Sequence, residues 1–434
     1  MKERTLSIWL AVGHLANDWP IAALWLIVPA AGTAMGLTAL EVGLLFTLFN
    51  LGGALAYVPA GLLADRGGAR GRLLVGTFLW VVVGYGLAAL APDFWTLAVL
   101  LAIAGMGNAA WHPIAASVLA RANGQGRAEA LGIHAIGGSA AEVLAPLAAG
   151  VLLAFVDWRL ALALSALPTV VVGLCFLHVA HAVPLAPRAP TERGDFTQFL
   201  RQLRSGPALR LVAMICLYNL ALTGLISMVP LYLATTHGLS STAVGAIFAA
   251  LMVTGAVLQP WVGRRSDRVG RKPVLAIGLL TAAVAGGVLT VPLPFWLMLA
   301  TMTVTVAALD AIRATMLAAT VELSEDREGT TLGLAYVLMD GVGAIGAVLA
   351  GFAVSFSWAH MFALIGLLSL AAAGLALGTG RPTPTQGRIA TLRARLRLRR
   401  EWKAILQTAP HLAEDMGLTV AEMEAEVAKR FWQE

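Results

Sequence analysis

The chain has 434 residues, of which 59% are hydrophobic and only 12% charged, and its formal net charge is +6. Soluble domains are roughly 45–50% apolar and about 25% charged, so this composition excludes an ordinary water-soluble globule and indicates a bilayer protein. Cys175 and Cys216 lie in separate apolar runs, which argues against a disulfide framework. No cleavable signal is expected, because the first apolar run is long and lacks a small-residue cleavage site.

Apolar runs separated by charged breaks predict membrane-spanning helices along the whole chain. A spanning helix needs roughly 20 mostly apolar residues, and lipid cannot satisfy the polar groups of an open backbone. Spans one to six are predicted at residues 6–34, 39–64, 73–91, 94–120, 128–155 and 158–181. Spans seven to twelve are predicted at residues 209–236, 241–262, 273–291, 294–321, 329–356 and 358–379.

The expected fold class is therefore an all-α membrane protein with two bundles of six helices. The domains are an N-terminal bundle, a linker, a C-terminal bundle and a tail, at residues 1–181, 182–208, 209–380 and 381–434. Nearly all Lys and Arg fall on one side if both termini are cytoplasmic, as expected for a bacterial inner-membrane protein. This rule accounts for the positive charge, so nucleic acid is not an expected partner.

The stretch "GLLADRGGAR" at residues 61–70 has a second copy, "GRRSDRVGRK", at residues 263–272. Sliding the chain by about 200 residues superimposes further positions on either side, including Val42 on Val244 and Gly53 on Gly255. The sequence thus predicts a duplicated carrier whose halves share one orientation. In such folds the substrate site lies between the repeats, near the middle of the bilayer.

The second stretch matches the loop signature G-x-x-x-D-R-x-G-R-[RK], and the first matches it except at Ala69, which replaces the Arg. Over about residues 6–380 the sequence resembles the major facilitator superfamily. The resemblance implies a transporter rather than an enzyme. It is expected to act as a monomer that rocks its halves around a small molecule, with a proton gradient and no cofactor. The repeated acidic and basic residues would close the cytoplasmic side in one state, and the glycines would let helices approach closely. The predicted gating residues are Gly61, Asp65, Arg66, Arg70, Gly263, Asp267, Arg268 and Lys272.

Span one contains "GHLANDWP", which places His14, Asn17 and Asp18 on one helix face. At 1.5 Å per residue, Asp18 lies very roughly 18 Å from the cytoplasmic end, close to the middle of the bilayer. A carboxylate there can bind and release a proton, so Asp18 is predicted as the main proton-coupling residue. The alternative is a structural residue held by Asn17 and Pro20 at a kink.

Span four contains "GNAAWHPIAAS", and the internal repeat superimposes its His112 on Arg313 of "ALDAIRAT" in span ten. An anionic or zwitterionic solute could bridge these two groups. Asp310 and Asp340 are the candidate partners of Arg313, and a purely structural pairing with one of them is the alternative. The predicted substrate-binding residues are Asn17, Trp111, His112, Asp310, Arg313 and Asp340.

Span five contains "GIHAIGGSAAEVLAPLAAG", where Glu142 and His134 are further proton-coupling candidates. A buried Glu142 bonded to a neighbouring helix is the alternative. The pattern H-x-x-N-D in span one, together with one in span four, is similar to the fosmidomycin-resistance branch of drug exporters. The span-four pattern comprises Gly105, Gly107, Ala109, His112 and Pro113.

This similarity implies export of a small organic molecule in exchange for protons. Two alternatives remain: a symporter or facilitator that imports a small organic anion, and a receptor that signals through its tail. No metal site is predicted. In the tail, "IATLRARLRLRREWKAIL" predicts a basic amphipathic helix that lies on anionic lipid.

Overall fold

The structure is a computed structural model that describes most of the two predicted bundles and parts of the tail. The described residues are 3–65, 69–122, 127–183, 206–321, 337–378, 399, 402–407 and 419–428. Most of the predicted linker lies outside these ranges, as do Arg66 and much of the tail. The chain divides into two compact units, Met1–Leu377 and Gly378–Glu434, so both predicted bundles belong to the first unit.

Spans one to five of the N-terminal half are continuous helices, at Glu3–Met35, Ala39–Asp65, Arg70–Ala88, Phe94–Ala122 and Arg127–Leu152. Span six consists of two helices, Trp158–Ser165 and Leu167–Val179, followed by a 3-10 turn. Its break at Ala166 precedes Pro168, which lies in the first turn of the second helix, where a missing N–H costs nothing.

Spans seven, eight, nine and twelve of the C-terminal half are also continuous, at Gly206–His237, Ser241–Val269, Arg271–Val288 and Trp358–Gly378. Span ten is interrupted at Ile312, between Phe295–Ala311 and Arg313–Val321. The described part of span eleven begins with a π-helical turn, Val337–Val342, and continues as Gly343–Val354. The two irregular spans are those that hold Arg313 and Asp340.

Within the described ranges, eleven helices are long and apolar enough to cross a membrane, and a shorter apolar helix covers Asp340–Val354. The all-α membrane fold expected from the sequence is therefore confirmed. A Cβ added to Gly137 would come within 2.1 Å of the carbonyl oxygen of Ala11, so span five lies directly against the backbone of span one.

Spans two and eleven hold the two halves together at one end of the bundle. Span two begins at this end and span eleven finishes there, and we call it the far end. A Cβ on Gly43 would lie 2.3 Å from the carbonyl oxygen of Ala347, and one on Gly351 would lie 2.3 Å from that of Ala39. The hydroxyl of Thr47 donates to the carbonyl of Ala344 over 2.7 Å. Backbone therefore meets backbone here.

Two of the predicted gating residues, both glycines, are not packed against a neighbouring helix as expected. A Cβ on Gly61 would meet nothing closer than Pro113 at 3.8 Å, and one on Gly263 would meet nothing within 4 Å. The expectation that these two glycines permit a close helix approach is therefore wrong in this structure, because both positions have room for a side chain.

The charged gating residues make local contacts. Arg70 is buried and its Nε donates to the carbonyl of Ala64 over 2.8 Å. Asp267 pairs with Arg271 on its own side of the molecule, and that arginine also donates to the hydroxyl of Ser266. Arg268 and Lys272 are exposed. The side chain of Asp65 lies outside the described parts of the chain, so gating by these residues stays a prediction.

Candidate functional site

Asp18 lies between two histidines from different spans. Its Oδ2 is 3.0 Å from Nε2 of His14, one turn earlier on span one, and its Oδ1 is 3.6 Å from Nε2 of His112 on span four. The side chains of His14, Asp18 and His112 are 13%, 17% and 26% exposed. We call these three residues the His–Asp cluster; all of them belong to the N-terminal half.

A reciprocal pair of asparagines holds spans one and four together beside the His–Asp cluster. Asn17 Nδ2 donates to the carbonyl of Asn108 over 3.1 Å, and Asn108 Nδ2 donates to the carbonyl of Asn17 over 2.6 Å. Tyr85 adds a hydrogen bond to Oδ1 of Asn108, and Asn17 Nδ2 also reaches Oδ1 of Asp18. Since both asparagines are almost fully buried, these bonds fix the register of the two helices that carry the cluster.

His14 contacts hydrogen-bond acceptors on both sides of its ring. Nδ1 of His14 lies 2.9 Å from the carbonyl oxygen of His134, which can only accept, so this contact favours a hydrogen on Nδ1. Nε2 faces a carboxylate oxygen of Asp18 over 3.0 Å, and a proton on either group would turn this contact into a hydrogen bond. The pair is therefore a candidate place for a transferable proton.

His134 packs directly behind this pair. Its ring is stacked on that of His14 with centroids 4.2 Å apart, and its Nδ1 lies 3.1 Å from the carbonyl oxygen of Leu10. Gly138 leaves the space that His14 occupies, because a Cβ there would approach the imidazole to 2.8 Å. His134 is thus placed as a support for His14; a role of its own in proton coupling stays a prediction.

The second charged group joins the two halves. Arg313 Nη1 of span ten donates to Oε1 of Glu142 on span five over 3.0 Å, and the two side chains are 36% and 38% exposed. The sequence had suggested Asp310 or Asp340 as the partner of Arg313. The difference arises because spacing along one half cannot reveal which acid of the other half comes within reach.

Asp310 and Asp340 have other direct partners. Gln259 donates to Oδ2 of Asp310 over 3.2 Å, and Tyr57 donates to Asp340. Asp310 is buried against Gly255, where an added Cβ would lie 2.3 Å from its Oδ2. Both acids still interact electrostatically with Arg313. The bond from Tyr57 also links the two halves, since Tyr57 belongs to span two and Asp340 to span eleven.

Asn17 and Trp111, predicted to bind substrate, offer no surface to a solute in this structure. Both side chains are completely buried. Trp111 packs against Phe78 and Phe176 with ring centroids 4.8 and 5.6 Å apart, and Gly13 makes room for its indole. Adjacent residues on a helix point about 100° apart, so a site at His112 turns Trp111 away. Asn17 and Trp111 therefore pack behind the site and support the residues that face it.

Sequence reasoning missed Tyr57, Tyr85 and Gln259. All are polar groups inside apolar spans, which is itself a functional signal. The internal repeat superimposes Tyr57 of span two on Gln259 of span eight, and each donates to a carboxylate of the C-terminal half. This shared position was the signal available in the sequence. The His–Asp cluster also brings three potential metal-ligand atoms within 4.8 Å of one another.

Two named relatives share sequence with this chain. The hexuronate transporter of Bacillus subtilis is 23% identical over 82% of this chain and 90% of its own length. The fosmidomycin resistance protein of Escherichia coli is 28% identical, but the match covers only 33% of this chain and 36% of that protein. Similarity to the fosmidomycin-resistance branch is therefore partial.

The fold has solved counterparts. One is a bacterial homologue of the human lysosomal transporter Spinster, in an inward-facing and occupied conformation. It superimposes with a TM-score of 0.74 at 17% identity, over 86% of this chain and 96% of its own. The family model of the Major Facilitator Superfamily matches residues 10–240 and, separately, residues 211–420. The chain therefore belongs to the Major Facilitator Superfamily and is a membrane transporter of small molecules, not an enzyme.

Proposed function

We propose that this protein is a proton-coupled transporter of a small anionic or zwitterionic solute, which binds between the two halves at Arg313. The observation that carries the proposal is the ion pair between Glu142 and Arg313, which crosses from one half to the other. A guanidinium binds carboxylates and phosphates through parallel hydrogen bonds. Because both side chains are more than a third exposed, a solute from water can reach them.

In this proposal the solute replaces Glu142 on Arg313. The displaced carboxylate then lacks its cation and stays near the negative charge of Asp310, and in this proposal it takes up a proton. Other groups act on Glu142 from neighbouring helices: Asp310 adds negative charge, and His14 interacts with it electrostatically. Solute binding and protonation of Glu142 therefore favour each other.

The direction of transport has two candidate forms. Mutual support between anion and proton favours symport, and the similarity to the hexuronate transporter, whose named cargo is a carboxylate, extends over most of the chain. Export in exchange for protons, which the span-one and span-four motifs predicted, is supported by the partial match to the fosmidomycin resistance protein. The expected location is a bacterial inner membrane with both termini cytoplasmic.

Proteoliposomes that contain a pH-sensitive dye test both forms. A panel of small carboxylates, sugar acids and phosphonates is added outside, and the internal pH is followed. Symport of an anion with a proton acidifies the lumen, whereas exchange for an internal proton makes it more alkaline. If no solute of the panel changes the internal pH of the wild-type vesicles, proton coupling is contradicted.

Glu142→Gln is the decisive variant. It should still move solute, but with a much weaker response to an imposed pH gradient, because glutamine cannot take up the proton. Glu41→Gln is the matched control, since Glu41 is only partly buried at the start of span two and accepts a hydrogen bond from Thr38. An unchanged pH response in Glu142→Gln would remove this residue from the coupling mechanism.

A further inference from the structure

We infer that the His–Asp cluster is a binding site for a divalent transition cation of the zinc, cobalt or nickel class. The site lies wholly in the N-terminal half and is separate from the Glu142–Arg313 pair on which the proposed function rests. The three ligands would be Nε2 of His14, a carboxylate oxygen of Asp18 and Nε2 of His112, brought together from spans one and four.

The spacing of the ligand atoms fits such an ion. Tetrahedral zinc has ligand bonds of roughly 2.0–2.2 Å, which keep its ligand atoms about 3.3–3.6 Å apart. In the cluster, Nε2 of His14 lies 3.0 Å from Oδ2 of Asp18 and Nε2 of His112 lies 3.6 Å from Oδ1 of the same carboxylate, and the three ligand atoms lie within 4.8 Å of one another. Small side-chain movements are enough to close the coordination sphere.

The chemistry of the ligands selects the class of ion. Two imidazole nitrogens with one carboxylate oxygen suit zinc and its first-row neighbours, whereas calcium and magnesium prefer sites made of oxygen alone. Three protein ligands leave a fourth position for water or a solute. His112 is 26% exposed, so that position is accessible.

The surrounding residues orient the ligands as the outer shell of a metal site does. Nδ1 of His14 donates to the carbonyl of His134, so Nε2 is the nitrogen turned towards Asp18. Asn17 fixes the carboxylate, and the reciprocal bonds of Asn17 and Asn108 hold both ligand-bearing helices. Arg313 is the nearby cation that opposes metal binding, and its ion pair with Glu142 offsets that charge.

The test uses full-length protein in detergent, purified with a tag that contains no histidine and stripped of metal. Zn²⁺ is titrated by calorimetry, and Co²⁺ is followed by its visible ligand-field bands. We expect one ion per chain, the bands of a low-coordinate cobalt site and no competition from Mg²⁺.

Variants separate this site from surface histidines. His112→Gln and Asp18→Asn should each weaken Zn²⁺ binding by at least about tenfold, while His178→Gln, a change at an exposed histidine, should leave it unchanged. Unfolding midpoints measured without metal show whether each variant is folded. Absence of Zn²⁺ binding by the wild type would overturn the inference, and so would equal affinity in folded Asp18→Asn or His112→Gln. Because no transport is measured, this outcome is independent of the vesicle experiment.

Discussion

The two charged clusters at the centre of the protein are built in opposite ways. All members of the His–Asp cluster come from the N-terminal half and are tied together by the asparagine pair. The Glu142–Arg313 pair, in contrast, joins one half to the other. When two halves rock against each other, the first cluster can keep its geometry, whereas the second must change. The His–Asp cluster is therefore suited to holding a cation, whereas the Glu142–Arg313 pair is suited to changing when a solute binds.

The largest expected effect follows removal of the cation between the halves. Arg313→Ala should lower solute transport in proteoliposomes by roughly ten- to a hundredfold, because hydrogen bonds to a charged group contribute about 1.5–3 kcal/mol and the variant removes the cation on which the solute is proposed to bind. Arg313→Lys is the matched control; it keeps the charge, loses the fork of donors and should retain partial transport. Wild-type rates in Arg313→Ala would mean that this pair has no part in solute binding.

Asp18→Asn removes the carboxylate of the His–Asp cluster but keeps a side chain of the same size and shape. The variant should still bind solute, but a pH gradient should stimulate its flux about 5- to 150-fold less, the usual range of coupling between two sites. The reason is that an amide cannot bind and release a proton beside His14, 3.0 Å from its Nε2 in the wild type. Flux driven by pH in reconstituted vesicles is the measurement, with Asp93→Asn, at an exposed turn before span four, as control. An unchanged pH response would leave Glu142 as the coupling residue.

Asn108→Ala tests whether the reciprocal asparagine pair holds the His–Asp cluster together. Loss of this side chain leaves the carbonyl of Asn17 and the hydroxyl of Tyr85 without their partner, at a cost of about 1–3 kcal/mol in stability. Thermal unfolding in detergent measures it. Asn50→Ala is the control, because Nδ2 of Asn50 donates to the carbonyl of Phe46 on the same helix, so this bond does not link two helices. Equal stabilities of the two variants would show that the reciprocal asparagines do not hold the cluster.

The smallest effect is expected at the far end. Gly43→Ala would place a methyl group against the carbonyl of Ala347 and should shift the population towards a separated far end by about fivefold, since about 1 kcal/mol is enough. Spin labels at Thr38 and Ser355 would report a longer distance in part of the molecules. Gly86→Ala is the control, because nothing lies within 4 Å of that position. An identical distance distribution in both variants would contradict a tight contact at Gly43.

The parts of the fold that follow from local composition were predictable. Span lengths and the shared face of His14 and Asp18 depend on apolar runs and helix periodicity, and the described residues agree with both. For the candidate site, the sequence predicted most of the residues that take part but not which of them contact one another. The partners of Arg313 and Asp340 come from the opposite half, and helix periodicity carries no information about contacts between distant helices. The expectation for Gly61 failed for the same reason, because a helical glycine with open space beside it and a packed glycine are alike in sequence.

The interrupted helices of the C-terminal half have one more consequence. Span ten breaks at Ile312 and the described part of span eleven starts with a π-helical turn, beside Arg313 and Asp340, while spans four and five run unbroken through His112 and Glu142. An extra or missing residue in such a turn rotates everything beyond it by a fraction of a helical turn. Insertions or deletions at these two points could thus re-aim the solute-facing side chains of one half while the opposite half stays as it is. We expect laboratory selection for new cargoes to find its mutations there.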